Sequence, residues 1–344
     1  MIQVSVIVAT CNRIDRLKLC ISSLLNQTYP ETNYEIIVTD DGSTDGTREY
    51  MATLAQHDRV RYLWHPNVGT AGNRNIGIRN ATGELILFID DDVEATRDLI
   101  ARHAGLHARQ HTPTLVVLGY APFAPALRRS AVIRYREAIW NSLYDRADTW
   151  PEQKRYQLVI TNNLSLSRAF LVRAGCFDEQ FRNATHEDTE LGYRLMQIGM
   201  TFMFCRDAVA YHHFRISPQD SLIKERRKGE AQVLFDRRHP ELGTEFSLDI
   251  LAPKRSRRPL VNLWRRCKWA LYNRVTTGLL TFMSRLVPLP PRLNYRVLGI
   301  IHWYYYILGL KDGARLVNAG TSPEPGSAGA GSRVDGESPP VGKP

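Results

Sequence analysis

Four short strand-like runs, each followed by a loop and, in most cases, a helical stretch, constrain this chain more than any other feature. They lie at residues 4–10, 34–39, 60–64 and 85–89. The first is β-branched throughout its centre, as a buried strand should be. After it, Leu17, Cys20, Ile21, Leu24 and Leu25 recur at the spacing of one helical face. Tyr29-Pro30 ends that helix. Asn67-Val68-Gly69 opens another helix that runs to about Asn80. Strand and helix alternating with short loops predict a mostly parallel, doubly wound α/β sheet.

The fourth run is continuous: Leu85-Ile86-Leu87-Phe88-Ile89 leads straight into Asp90-Asp91-Asp92. An apolar run of this kind reads as a strand buried on both faces. Three adjacent carboxylates cannot belong to the core, because unpaired charge is too costly to bury. They repel one another unless a cation or hydrogen-bond donors lie between them. Ligands of open α/β sheets bind at the carboxyl ends of strands, and carboxylate oxygens suit hard divalent cations. Asp90 and Asp92 are therefore expected to hold a metal such as Mn²⁺ or Mg²⁺. The competing reading is an acidic turn or helix start at Asp91, Asp92 and Glu94.

The rest of the chain continues the pattern less regularly. Residues 114–120 and 158–163 read as strands, 128–144 and 167–174 as helices, and 201–211 as one or two short strands. Glu187, Asp188 and Glu190 fall in the first turn of a helix whose apolar face is Leu191, Leu195 and Ile198. Past residue 216 the character changes. A Lys- and Arg-rich helix runs to about Arg238, and two further helical stretches are expected at 260–286 and 295–312. The formal charge of +10 has its main source in residues 254–296, which contain no Asp or Glu. Within them Arg257, Arg258, Arg265, Arg266, Lys268 and Arg274 alternate with aromatic and aliphatic residues, the pattern of a helix lying on an anionic membrane. The five cysteines are widely spaced with no CxxC pair, which argues against a zinc site or a disulfide frame. No basic-then-apolar leader opens the sequence, so no signal peptide is expected.

Taken in order, the motifs resemble those of a family 2 glycosyltransferase of GT-A fold. They are the 4–13 segment ending in Thr10-Cys11-Asn12-Arg13, Asp40-Asp41-Gly42-Ser43-Thr44-Asp45, and Asn67-Val68-Gly69 with Arg74-Asn75. Asp90-Asp91-Asp92 follows, then Glu187-Asp188 with Arg194, and His212-His213. The resemblance covers roughly residues 3–215. It implies a nucleotide-sugar-binding half at 1–105 and an acceptor-binding half at 106–215. Beyond the fold proper, a basic amphipathic helical region is expected at 216–318 and a disordered tail at 319–344.

The resemblance also implies roles. Thr10, Asn12, Arg13, Asp40, Asp41, Arg74, Asp90 and Asp91 would bind the nucleoside-diphosphate sugar, one of Asp40 and Asp41 accepting from the base. Asp92 would ligate metal directly, and Asp90 would hold the ribose or a metal-bound water. His212 or His213 would complete the metal shell; the two point to opposite faces if the strand continues, so only one should reach it. Asp188, with Glu187 as the lesser candidate, would take the acceptor's proton. One base and direct attack give inversion. The chain lacks the Gln-x-x-Arg-Trp pattern and the multiple spans of processive polymerases, which suggests transfer of one or a few sugars to a glycan or lipid-linked carrier in polysaccharide synthesis. A cytoplasmic protein, peripheral on the inner face of the membrane, is expected. Two alternatives stand beside this reading. A nucleotidyltransferase on a similar fold would carry a glycine-rich loop after the first strand, absent from Ala9 to Arg13. A non-catalytic membrane or nucleic-acid binder would use the basic half, but no nucleic-acid recognition motif is evident, so no nucleic acid is expected as partner.

Overall fold

A computed structural model of the protein describes residues 1–125, 130–183, 185–242, 275, 278 and 290–318. Apart from residues 275 and 278, the expected helix at 260–286 with its basic residues, and the expected tail at 319–344, lie outside the described residues. Strands β1 (Val4–Thr10), β2 (Tyr34–Asp40), β3 (Val60–Trp64) and β4 (Leu85–Asp90) are joined by α1 (Ile14–Leu25), α2 (Thr47–Thr53) and α3 (Thr70–Asn80). They are followed by β5 (Val93–Ala95), α4 (Leu99–Gln110), β6 (Leu115–Tyr120), α5 (Ala131–Tyr144), β7 (Asn163–Ser167), α6 (Arg168–Arg173), α7 (Glu187–Gln197), β8 (Thr201–His212) and α8 (Pro218–Arg238). A last helix, α9, spans Pro291–Asn318.

One eight-stranded sheet runs β3-β2-β1-β4-β7-β6-β8-β5. β1 pairs in parallel with β2 and β4, and β2 with β3. Two antiparallel pairings of β7, with β4 and β6, interrupt that pattern, and β6–β8 restores it. The sheet is buried on both faces. Val4, Val6 and Val8 face the layer containing α1, α2 and α4, where Leu17, Cys20, Ile21 and Leu24 complete the packing. Ile7, Ile86 and Phe88 face the opposite layer, with Ile78 of α3 and Leu191 and Leu195 of α7. Two-sided burial is why these strands read as continuous apolar runs rather than alternating ones.

Four sequence expectations need correction. The run 158–163 is not a strand: Glu152–Leu158 is a 3-10 helix, and β7 begins only at Asn163. Its apolar start, Leu158 and Val159, instead packs into the layer that holds α7. Of the competing readings of the acidic residues, the turn holds and the helix start does not: Asp91 and Asp92, both buried, turn into β5, which pairs with β8. Residues 201–212 are a single long strand with a register shift opposite Gly119 and Tyr120. The final helix begins earlier and ends later than residues 295–312. It also buries Val297, Leu298, Ile301, Tyr306, Ile307 and Leu310 within the protein. Among the described residues no helix is long and apolar enough to cross a membrane.

Candidate active site

The carboxyl ends of β1, β2 and β4 lie side by side, with Thr10 opposite Asp40 and Ala9 opposite Asp90. The loops after these strands therefore share one edge of the sheet, where open α/β folds place their ligands. β7 runs the other way, so its beginning, Asn163 opposite Ile89, reaches the same edge. The end of β8 arrives there too: His212 pairs with Val93, just past the aspartates.

The three aspartates have three different environments. Asp91 is buried and turned into the protein, accepting from Thr10 Oγ1 at 2.8 Å and from Arg13 Nη1 at 3.0 Å. Burial nevertheless raises its pKa, with the neighbouring Asp92 and Asp90 charges adding to that and Arg13 opposing it. Asp92 faces His212 Nε2 at 3.1 Å and Arg16 Nη1 at 3.5 Å. Its burial opposes charge, but His212, Arg13 and Arg16 outweigh it and hold the carboxyl well below the usual range. Asp90 is the most open of the three, and its Oδ1 accepts from Arg74 Nη2 at 3.2 Å.

The two histidines diverge as a strand requires. His212 turns to Asp92, between the rings of Phe123 and Phe214 at 5.5 and 5.3 Å. His213 gives its backbone N–H to the Asp92 carbonyl, while its ring goes to Glu94 Oε2 at 2.8 Å. His212 Nδ1 is buried without a hydrogen-bond partner. Among the described residues no three His, Cys, Asp or Glu side chains converge closely enough to enclose a metal ion by themselves. One carboxylate oxygen of Asp92 and one ring nitrogen of His212 meet at one point, however. Such a donor pair suits a divalent ion that takes its remaining ligands from outside the protein.

Arg74 links these groups to the second acidic motif. It is buried, with Nη1 2.7 Å from Glu187 Oε1 and Nη2 on Asp90. Its guanidinium also lies 5.7 Å from the centre of the Phe177 ring. Glu187 Oε2 has no partner; burial, with Asp188 beside it, pushes the Glu187 carboxyl up to about 7 against the pull of Arg74. Asp188 accepts from the Thr189 N–H at 2.7 Å and forms no ion pair of its own within the described residues. Burial raises its pKa as well, with Arg74 opposing. The pair stands at the start of α7, held there by His186 in the left-handed region at φ 65°.

The expected nucleotide-binding residues are brought together, but chiefly by bonding to one another. Asn12 donates its backbone N–H to Ser43 Oγ and accepts from the Thr44 N–H. Asp40 accepts from the Ser43 N–H and from the Tyr62 hydroxyl. Asp41 accepts from Asn67 Nδ2 and from the N–H groups of Val68 and Gly69. Gly69 is at φ 85°, and a Cβ there would lie 2.7 Å from the Arg182 carbonyl oxygen, so this loop tolerates no side chain at that point. Arg194, grouped with Glu187-Asp188 in the sequence, clasps Glu190 and the carbonyls of Ala174 and Cys176 instead. Sequence reasoning missed two buried polar groups, the Asn162 amide and the Tyr144 hydroxyl, which face each other without a well-formed hydrogen bond, Tyr144 within reach of the Asp90 charge. No local signal marks them, since Asn162 sits in an ordinary-looking polar run and Tyr144 in a helical one.

Residues 5–165 match the family model described as glycosyl transferase family 2. An uncharacterized glycosyltransferase, YfnE, of Bacillus subtilis is 29% identical over 253 residues, covering 60% of this chain and 64% of that protein. Validoxylamine A glucosyltransferase of Streptomyces hygroscopicus subsp. jinggangensis is 32% identical over 231 residues, covering 59% of this chain and 54% of the relative. The chain thus matches less than two thirds of the length of each. Among solved structures, a mannosyltransferase of Pyrobaculum calidifontis in complex with GDP-Man and Mn²⁺ superposes with a TM-score of 0.58 at 17% identity. That alignment covers 91% of this chain and 87% of the other, so the two share a GT-A fold.

Proposed function

We propose that this chain, whose residues 5–165 match the glycosyl transferase family 2 model, transfers a sugar from a nucleoside-diphosphate sugar to a hydroxyl acceptor with inversion. The observation that carries this reading is the Arg74 guanidinium, which touches Asp90 on one side and Glu187 on the other. It sets the acidic end of β4, suited to a cation that carries a diphosphate, one arginine's width from a second carboxylate pair suited to an acceptor.

Glu187 gives one oxygen to Arg74 while Asp188 forms no ion pair among the described residues, and we assign the base to Asp188. Its carboxylate takes the proton of the acceptor hydroxyl as that oxygen bonds to the anomeric carbon. The bond from that carbon to the diphosphate breaks on the opposite face, and the nucleoside diphosphate leaves with the electron pair. A base whose pKa is raised by burial accepts the proton more readily than an ordinary carboxylate. Asp92 and His212, with Asp90 beside them, would hold Mn²⁺ or Mg²⁺, which supplies positive charge to the leaving diphosphate. Arg13 and Arg16 place two further cations at that end of the cleft. Thr10, Asn12, Asp40 and Asp41 shape the nucleotide cradle through the loops they tie together.

Contact with an anionic membrane surface is supported by the basic composition of residues 254–296, and such contact would suit a lipid-linked acceptor over a free glycan. Co-sedimentation of the full chain with phosphatidylglycerol vesicles, absent with neutral ones, is the expected result.

Asp188→Asn tests the central assignment. It should keep donor binding, read by calorimetry with UDP-, GDP- and dTDP-sugars, and lose transfer or donor hydrolysis by roughly 10²–10⁴-fold, the usual contribution of a positioned base. Turnover within a few-fold of the unsubstituted enzyme would remove Asp188 from the reaction.

A further inference from the structure

Helix α8 lies outside the segment matched by the family model, yet one of its faces is directed at the reaction site. Gln232 fixes the direction: its Oε1 meets His186 Nε2 at 2.9 Å, and His186 immediately precedes Glu187 and Asp188. Residues four apart on a helix share a face. Lys228 and Lys224 therefore follow Gln232 along the same side of the helix, each about 6 Å further toward the helix start. Both are exposed. Among the described residues neither ammonium has a carboxylate within ion-pair distance. Lys224 Nζ sits 5.8 Å over the ring of Phe214, the same ring that flanks His212.

The neighbouring cations are already engaged. Arg136 is tied to Glu225 and Ser221 on the adjoining face of α8, and Arg13 and Arg16 to the aspartates. Lys224 loses solvent to the protein around it, and this, with Arg136 and Arg13, lowers its pKa while Asp90 and Asp92 act the other way. Lys228 acts on His186: burial, then the Lys228 charge, pushes that imidazole down to about 4. The stripe thus runs from the aspartate end of the cleft to the Asp188 end.

We propose that Lys224 and Lys228 form a subsite for a phosphate-bearing acceptor, drawn along α8 so that its hydroxyl meets Asp188. The assignment rests on the glycosyl-transfer reading above. Its logic is charge balance. Asp90, Asp91, Asp92, Glu187 and Asp188 would repel an anionic acceptor, and unpaired cations beside them offset that repulsion and steer it in. The donor diphosphate is served at the Asp92 end by Arg13, Arg16 and the Asp92–His212 pair. A cation beside His186 has the acceptor to meet.

The test uses the full chain and pairs of small alcohols, each with and without a phosphate: glycerol and glycerol 3-phosphate, glucose and glucose 6-phosphate. Affinities are read by NMR titration with and without saturating nucleoside diphosphate, for the unsubstituted protein, Lys228→Gln, Lys224→Gln/Lys228→Gln and Lys228→Arg. UDP, GDP and dTDP affinities are measured on the same samples. The expected result is at least tenfold tighter binding of the phosphorylated partner. That preference is lost in the double variant and retained in Lys228→Arg, with nucleoside diphosphate affinity changed less than threefold. Equal binding of phosphorylated and neutral alcohols, or a preference untouched by the double variant, overturns the proposal. A tenfold loss of nucleoside diphosphate affinity with the alcohol preference intact also overturns it, assigning the stripe to the donor. If the unsubstituted protein binds no nucleoside diphosphate, the glycosyl-transfer reading fails, and the phosphate titration still decides the stripe.

Discussion

Arg74 carries two buried or half-buried carboxylates on one guanidinium, and its removal strands both. Arg74→Ala should destabilise the fold by about 3–5 kcal/mol, the cost of leaving one partner of a buried pair uncompensated, as read by urea denaturation. Arg74→Lys keeps the charge but cannot span Asp90 and Glu187 together, so it should fold better than the alanine variant while still impairing donor turnover. The histidine pair makes a second contrast. His212→Ala should weaken the Mn²⁺ dependence of donor binding about tenfold or more, whereas His213→Ala, whose ring is spent on Glu94, should change it less than threefold. Calorimetry with and without Mn²⁺ distinguishes them. Away from the site, His103 bridges Ser165 Oγ and Asn163 Oδ1, and His107 shares the same Ser165 oxygen. Burial pushes both imidazoles down to about 4. The unfolded chain then binds more protons than the folded one between about pH 6.5 and 4, so stability falls as pH falls through that window. Denaturant midpoints at pH 7 and pH 5 should differ, and His107→Asn should shrink the difference.

At the scale of elements, α8 and α9 cross so closely that their backbones touch. A Cβ on Gly229 would lie 2.2 Å from the Tyr306 carbonyl oxygen, and one on Gly313 would lie 3.0 Å from that of Glu230. Glycine is used there for space, not for φ. Gly229→Ala should cost about 1–3 kcal/mol, the range of an overpacked contact, and lower the melting temperature accordingly. Ser221, bonded to His302 on α9 and to Arg136 on α5, couples the same crossing to the region that α8 presents to the site. Loosening the crossing should therefore disturb acceptor affinity more than nucleoside diphosphate affinity. This arrangement was partly legible beforehand. The sequence predicts a helix at 295–312, but nothing local distinguishes a membrane from a neighbouring helix as the cover of its apolar residues. The strand expected at 158–163 fails for the same reason: Leu158 and Val159 are as apolar as any strand, and only packing into the α7 layer says otherwise.

At the scale of the whole molecule, the sheet order gathers residues 10, 40, 90, 163 and 212 at one edge although they are spread over most of the chain. Strand runs, the helical face of α1 and the position of the acidic triplet after β4 were determined by the sequence itself, because burial periodicity and strand-end chemistry are local. Which aspartate faces inward, which histidine turns to Asp92, and which carboxylate Arg74 occupies were decided only by tertiary structure. Each of those choices depends on a side chain donated by a segment tens of residues away, and no periodicity within a segment encodes its partner. The lysines of α8 are the extreme case. In sequence they are ordinary solvated charges, and only the bond from Gln232 to His186 turns their face toward the reaction.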